Sequence, residues 1–241
     1  MKQHEAVIQA LESRGGIATL GELYHATMRI KECEWKTKTP FASIRRIVQE
    51  RPEIFKVRPG LWALESNREQ LGIPQISVAN SVVETLAYNH TCYQGLLCEL
   101  GNLQGYQTFV PQQDKNQIFV NRPLHQVRSL DVILPFSYEK FVKRSSTIDT
   151  IWFNARKMPS HLFEVEYSTD FQNSLIKFVE LQDFHAKMLI VSDKVRHPEF
   201  QDKLKSIAFD SIRQRVEFWN YDYLVQQYEY QQSIKAYQSF S

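Results

Sequence analysis

The chain has 241 residues, 43% of them hydrophobic and 12% aromatic, and a formal charge of +2. That composition can bury a sizeable core and excludes a disordered chain, and the length suits one large domain or two smaller ones. Near-neutrality means that net charge alone names no polyanionic partner.

The start, "MKQHEAVIQALESRGG", is amphipathic and contains acid, unlike a signal peptide. Its Ala6, Val7, Ala10 and Leu11 fall at helical spacing, and a Gly-Gly pair stops the pattern. A second helix is predicted over "TLGELYHATMRI", and Pro40 opens a third, "PFASIRRIVQE", at its first turn. In "IFKVRPGLWAL", Phe55 and Val57, then Leu61 and Ala63, flank a Pro59-Gly60 turn, the pattern of a β-hairpin. Three helices followed by a hairpin is the order of a winged helix. Between residues 36 and 58, Lys36, Lys38, Arg45, Arg46, Arg51, Lys56 and Arg58 are opposed only by Glu50 and Glu53. A basic stripe on a helix and wing suits duplex phosphates, although charge runs more often form a solvated face. The segment "TPFASIRRIVQERPEIFKVRPGLWAL" resembles the HARE-type winged helix-turn-helix domain. The resemblance implies DNA binding or DNA-end sensing, with protein contact as the other use of such domains. The expected DNA contacts of this unit, residues 1–64, are Lys36, Lys38, Ser43, Arg45, Arg46, Gln49, Lys56 and Arg58.

The polar stretch "ESNREQLGIPQ" reads as a linker over 65–75. Residues 76–241 follow as an α/β unit with a mixed sheet flanked by helices. Helices are expected over "SVANSVVETLAYN" and "CYQGLLCELGNLQ", and strands at "YQTFVP" and "KNQIFVN". "LDVILPF" is either a strand or a loop edge stopped by Pro135. "TIDTIWFN", with the turn "ARKMPS", leads into the strand "HLFEVEYST". After these come a helix in "FQNSLIKFVELQDF", a buried strand in "AKMLIVSD", a helix in "PEFQDKLKSIAF", a strand in "RVEFWNY" and a helical tail. Cys33, Cys92 and Cys98 lack ligand-like spacing with histidine, which speaks against zinc, and their odd count speaks against a disulfide framework. No apolar run approaches membrane-spanning length, and no Gly-rich phosphate loop appears. The expectation is a soluble cytoplasmic protein without a membrane partner or nucleotide cofactor.

Alternation in "HLFEVEYST" puts Leu162, Glu164 and Glu166 on one strand face and Phe163, Val165 and Tyr167 on the other. The bland reading is a solvent-facing edge, which Leu162 fits badly. Asp149, read as lying in the preceding strand, would join the two glutamates across a hairpin. Three carboxylates in an apolar sheet repel one another unless a cation sits among them, and Mg²⁺ prefers oxygen ligands. Asp131 is the rival first acid, ranked second because its connection to Glu164 is long for a hairpin.

The order Asp149, then Glu164 and Glu166, resembles the PD-(D/E)xK nuclease superfamily in its Glu-x-Glu variant. "TIDTIWFN … LFEVEYSTDFQNSLIKFVEL" is similar to a group of bacterial restriction-type endonucleases, and "CELGNLQGYQTFVP" fits the elements before that core. The resemblance implies a restriction-endonuclease-like α/β fold. Asp149, Glu164 and Glu166 become catalytic and metal-binding residues, and Mg²⁺ the cofactor, with Mn²⁺ as a substitute. It also implies that Gln94 or Glu99, on the helix before the core, could serve the metal, against an ordinary helix-surface role. Glu166 stands where lysine is usual. Lys177 could supply that charge, against the blander reading of a surface lysine. The expected function is double-stranded DNA cleavage by a homodimeric type II restriction enzyme. The alternatives are a transcription regulator with a non-catalytic C-terminal domain and a repair or transposition nuclease.

Overall fold

Helix α1 (Gln3–Glu12) forms where the sequence supplies both a cap and an apolar stripe. The Glu5 carboxylate accepts from the Lys2 backbone N–H at 2.9 Å, and Ala6, Val7, Ala10 and Leu11 are buried. The computed structural model describes residues 1–35, 37–58, 60–69, 82–120, 122–167 and 169–240, with backbone alone for 58, 82–89 and 236–240. The chain divides into two units, Met1–Ser81 with Val225–Ser241, and Val82–Leu224.

In the first unit, Gly15 and Gly16 end α1 with φ of 78° and 81°, where a side chain would be strained. Strand β1 (Ile17–Thr19) runs into α2 (Leu20–Met28), which opens on a reciprocal Thr19–Glu22 cap. Helix α3 (Pro40–Glu50) starts on its proline and buries Phe41, Ile44 and Val48. Strands β2 (Ile54–Arg58) and β3 (Leu61–Leu64) form the expected antiparallel hairpin, and β1 adds to β3 to complete a three-stranded sheet. Beyond the hairpin, Glu65–Asn67 makes a short 3₁₀ turn; Lys36, Pro59 and linker residues 70–75 lie outside the described residues.

The sequence reading assigned the whole tail to the second unit. In the structure Val225–Ser241 belongs with the first. Tyr228 is fully buried there, with its hydroxyl 3.1 Å from Thr19 Oγ1 and 2.9 Å from Gln232 Nε2, and Gln232 Oε1 lies 3.1 Å from His25 Nε2. A 1–64 fragment would therefore lack part of this unit's interior.

The second unit opens on α4 (Val82–Leu103), one helix where two were expected; the start of "SVANSVVETLAYN" lies outside the described residues. Then come β4 (Gln107–Phe109), the small hairpin β5 (Ile118–Phe119) and β6 (Arg122–Pro123), α5 (Glu139–Ser145), β7 (Thr150–Phe153) and β8 (Pro159–Glu166). The chain continues through α6 (Gln172–Glu180), β9 (Lys187–Ser192), α7 (His197–Leu204), β10 (Val216–Asn220) and α8 (Tyr221–Phe240). Residues 130–136, "LDVILPF" included, are not a strand.

The main sheet has the order β10-β9-β8-β7-β4. Strands β4, β7 and β8 pair antiparallel, while β8, β9 and β10 pair parallel, so this is an α/β unit with a mixed sheet flanked by helices. The parallel pairs need crossovers, which α6 and α7 supply. One sheet face packs Leu162, Met188 and Ile190 against Phe171, Leu175 and Phe178. On the other, Trp152 donates its indole N–H to the Leu97 carbonyl of α4 at 3.0 Å. A Cβ on Gly101 would lie 2.6 Å from the Trp152 ring, so only glycine lets α4 approach this closely.

His161 lies on that face among Tyr106, Trp152 and Phe163, and its Nδ1 has no partner among the described residues. Burial, helped by Lys187, lowers its pKa to about 4. A histidine held neutral in the fold stabilises fully above its unfolded pKa near 6.5 and loses that contribution as pH falls towards 4. Urea unfolding across this window should show the wild type losing up to about 3 kcal/mol more than His161→Phe, which has no proton to take up. Parallel pH profiles would mean that His161 is not the group responsible.

Candidate active site

Strand β8 is the middle strand of the five, and helices cover both its faces. Glu164 is 2% exposed and Glu166 6% exposed. That overturns the solvent-edge reading of "HLFEVEYST": both carboxylates point from a central strand towards α6.

Asp149 sits one residue before β7 rather than inside it, because regular pairing begins at Thr150↔Phe163. One further step of that register carries Asp149 beside Glu164. Its Oδ2 accepts from the Val165 N–H at 2.8 Å and lies 3.0 Å from His90 Nε2. Gln94, fully buried on α4, donates to the Asp149 carbonyl and to Asp114 Oδ2, both at 3.0 Å. Its other amide atom, Oε1, has no partner among the described residues.

Helix α6 brings two more groups. Lys177 Nζ donates to both Glu164 oxygens at 2.9 and 2.8 Å and to the Thr147 carbonyl at 2.9 Å. The surface-lysine reading is thereby corrected: the aliphatic stem is half-buried and the ammonium turns inward. One turn earlier, buried Ser174 contacts Glu164 Oε2 at 2.8 Å and also Glu166 Oε1. A hydroxyl has one proton to give, so both contacts are satisfied only when one glutamate is protonated and donates back. Glu166 is held further by the Thr169 hydroxyl.

The electrostatics agree. Burial, then the Asp149 carboxylate, push the Glu164 carboxyl up to about 8 against the pull of Lys177. Burial also raises Glu166 and Asp114. Burial opposes the charge on Lys177, but Glu164 and Asp149 outweigh it and raise its pKa. His90 is raised in the same way, by Asp149 against burial. Burial and the mutual repulsion of these acids thus keep them from all ionising together.

Among the described residues no three of His, Cys, Asp or Glu are gathered as a ready metal cage. Glu166 is turned to Ser174 and Thr169, and Lys177 engages both oxygens of Glu164, so among the described residues the expected three-acid ligand set is not assembled. What remains is a pair of acids, Asp149 and Glu164, with a buried amide oxygen left over on Gln94 in the same cluster. Clustered oxygen donors whose joint ionisation needs a further cation suit Mg²⁺, which needs only one or two carboxylates beside water and phosphate.

Other expected residues lie elsewhere. Glu99 pairs with Arg122 of the β5–β6 hairpin. Asp131 has a 91% exposed side chain in a loop, near Arg128. In the first unit Lys38, Arg46, Gln49 and Lys56 are exposed, while Ser43 is half-buried with its hydroxyl towards the Thr39 carbonyl. Arg45 is tied to Glu229, and Arg46 is 3.9 Å from Glu50. Lys36 is outside the described residues, and only the backbone of Arg58 is described.

His90, Asp114 and Ser174 went unnoticed in the sequence. Ser174 had a signal: it interrupts the apolar stripe Phe171, Leu175, Phe178 on a helix that directly follows the two glutamates.

A mixed sheet with buried acids and a lysine at its middle strand is a nuclease-like α/β architecture. Residues 73–239 match the family described as the type II restriction enzyme NmeDI C-terminal domain, and the chain belongs to that restriction-enzyme family. No curated protein and no solved structure matches the chain. Among the described residues no helix is long and apolar enough to cross a membrane.

Proposed function

We propose that the chain is a Mg²⁺-dependent endodeoxyribonuclease of type II restriction character, hydrolysing phosphodiester bonds of double-stranded DNA at a specific site. The observation that carries this reading is the contact of Lys177 Nζ with both oxygens of Glu164, itself neighbour to Asp149, in a chain of a restriction-enzyme family. In this reading the site is a PD-(D/E)xK variant whose lysine comes from the following helix, three residues past Ser174, instead of from position 166.

Asp149 and Glu164 would hold the metal, with Gln94 offering its free amide oxygen. Mg²⁺, when bound, supplies Lewis-acid stabilisation of charge on the attacked phosphate and makes a water more acidic. Lys177 holds a fixed positive charge beside the reacting group, and its contact with the Thr147 carbonyl fixes its reach. The Val165 N–H and His90 orient Asp149. Ser174 couples Glu164 to Glu166, whose raised pKa equips it to hold a proton within the cluster.

The first unit is read as a winged helix that places α3 and the β2–β3 wing on DNA. Lys38, Arg46, Gln49 and Lys56 are its exposed contacts, Arg46 with only a long pairing to Glu50, and Arg45 is a weaker one because Glu229 already neutralises it. Cutting both strands at a symmetric site calls for two copies of the site, hence a homodimer.

Phage DNA incubated with the protein and Mg²⁺ should yield discrete fragments, and none in EDTA. Intact DNA under every divalent cation tried, with folded protein, would overturn the catalytic reading.

A further inference from the structure

The basic stripe read from the sequence lies in the first unit, yet the second unit carries cations of its own beside the acids. A groove of about 510 Å³ is lined by Lys140, Phe141, Lys143, Arg144, Thr147 and Glu180. Among the described residues that line it, the one acid, Glu180, is engaged by Arg144. Lys140 and Lys143 are exposed and have no ion pair among the described residues, so the groove holds about two uncompensated positive charges.

The groove begins where the acidic site ends. Thr147 lines it, and the Thr147 carbonyl accepts from Lys177 Nζ at 2.9 Å. Glu180 is three residues beyond Lys177 on α6, a rise of about 4.5 Å. Successive phosphates of one duplex strand advance by about 3.4 Å along the axis. Because Thr147 and Glu180 both line the groove, a strand whose scissile phosphate lies at Lys177 would bring its next phosphates into it, beside α5. The aliphatic stems of the lysines and the Phe141 ring, with Lys140 Nζ 4.6 Å from the ring centroid, give the channel walls that direct the ammonium groups.

We propose that this groove binds the phosphodiester backbone of duplex DNA next to the scissile phosphate, with Lys140 and Lys143 as its phosphate contacts. The proposal rests on the nuclease reading only for where the scissile bond lies.

The test uses the full chain in EDTA and measures duplex binding by fluorescence anisotropy across a salt series. Lys140→Gln/Lys143→Gln should give a salt slope shallower by about two contacts. The wild-type affinity should then fall about tenfold further than the variant's between roughly 50 and 200 mM salt. Lys140→Arg/Lys143→Arg should keep the wild-type slope, because it keeps both charges. An unchanged slope in the Gln variant, with an unchanged melting temperature, overturns the proposal. So does an Arg variant that loses as much as the Gln variant. Cleavage by the wild type in Mg²⁺ is scored separately. A slope effect without any wild-type cleavage sinks the nuclease reading and leaves the groove standing, whereas cleavage with an unchanged slope sinks the groove alone.

Discussion

Lys177→Met should lower DNA cleavage by about a hundred- to a thousandfold at saturating DNA, the usual loss when a fixed donor to developing charge is removed. The ammonium contacts both Glu164 oxygens, and Glu164 sits on a central strand with almost no solvent. Without it the Glu164 carboxyl, already pushed up to about 8, moves higher still and stays protonated at neutral pH. The fold should therefore lose only about 1–3 kcal/mol, the range for an unsatisfied buried polar group, and not the larger loss of an unpaired buried charge. Two companions separate charge from shape. Glu166→Lys alone should lose cleavage, because a second ammonium would then crowd Glu164 and Ser174. Lys177→Met/Glu166→Lys should recover part of the loss, since Ser174 bridges positions 164 and 166 and a lysine at 166 lies within reach of Glu164. A Lys177→Met variant that cuts at the wild-type rate would return Lys177 to a structural ion pair.

Much of this arrangement could be read from local pattern. Helix α3 and the β2–β3 hairpin were legible because a proline start, a Pro-Gly turn and alternating apolar residues are local signals. The same holds for β8, whose period of two already set Glu164 and Glu166 on one face. What the sequence hid is non-local. Strand β1 is three residues long and exists because Ile17, Ala18 and Thr19 pair with β3, far along the chain. The tail reads as a generic polar helix, and only packing shows that Tyr228 and Gln232 meet Thr19 and His25. Lys177 looked like any helix-surface lysine, since nothing local reports that a long side chain turns back over a neighbouring strand. Asp131 looked apolar-flanked and strand-like, yet its segment is extended loop with the side chain in solvent.

Glu164→Gln should abolish cleavage, by at least roughly a thousandfold, while leaving duplex binding in EDTA unchanged. The glutamine keeps the shape but cannot carry the negative charge that, with Asp149, makes this point attractive to a divalent cation. In the proposed mechanism several kcal/mol of transition-state stabilisation would depend on that cation, and each 1.36 kcal/mol or so is tenfold in rate. In the proposed reading duplex binding rests on other groups, the exposed cations of α3 and the β2–β3 hairpin together with Lys140 and Lys143. Stability at pH 7 should change little, within about 1 kcal/mol. Replacement removes a carboxyl whose ionisation burial opposes, and Lys177 retains the Thr147 carbonyl. Calorimetric titration with Mg²⁺ should show weakened uptake in Glu164→Gln and in Asp149→Asn, and both should fail to cut. Asp131→Asn, 91% exposed and remote from this hydrogen-bond network, should cut as the wild type does. The opposite pattern, with Glu164→Gln active and Asp131→Asn dead, would place the metal and the chemistry at the loop instead of at the middle of the sheet.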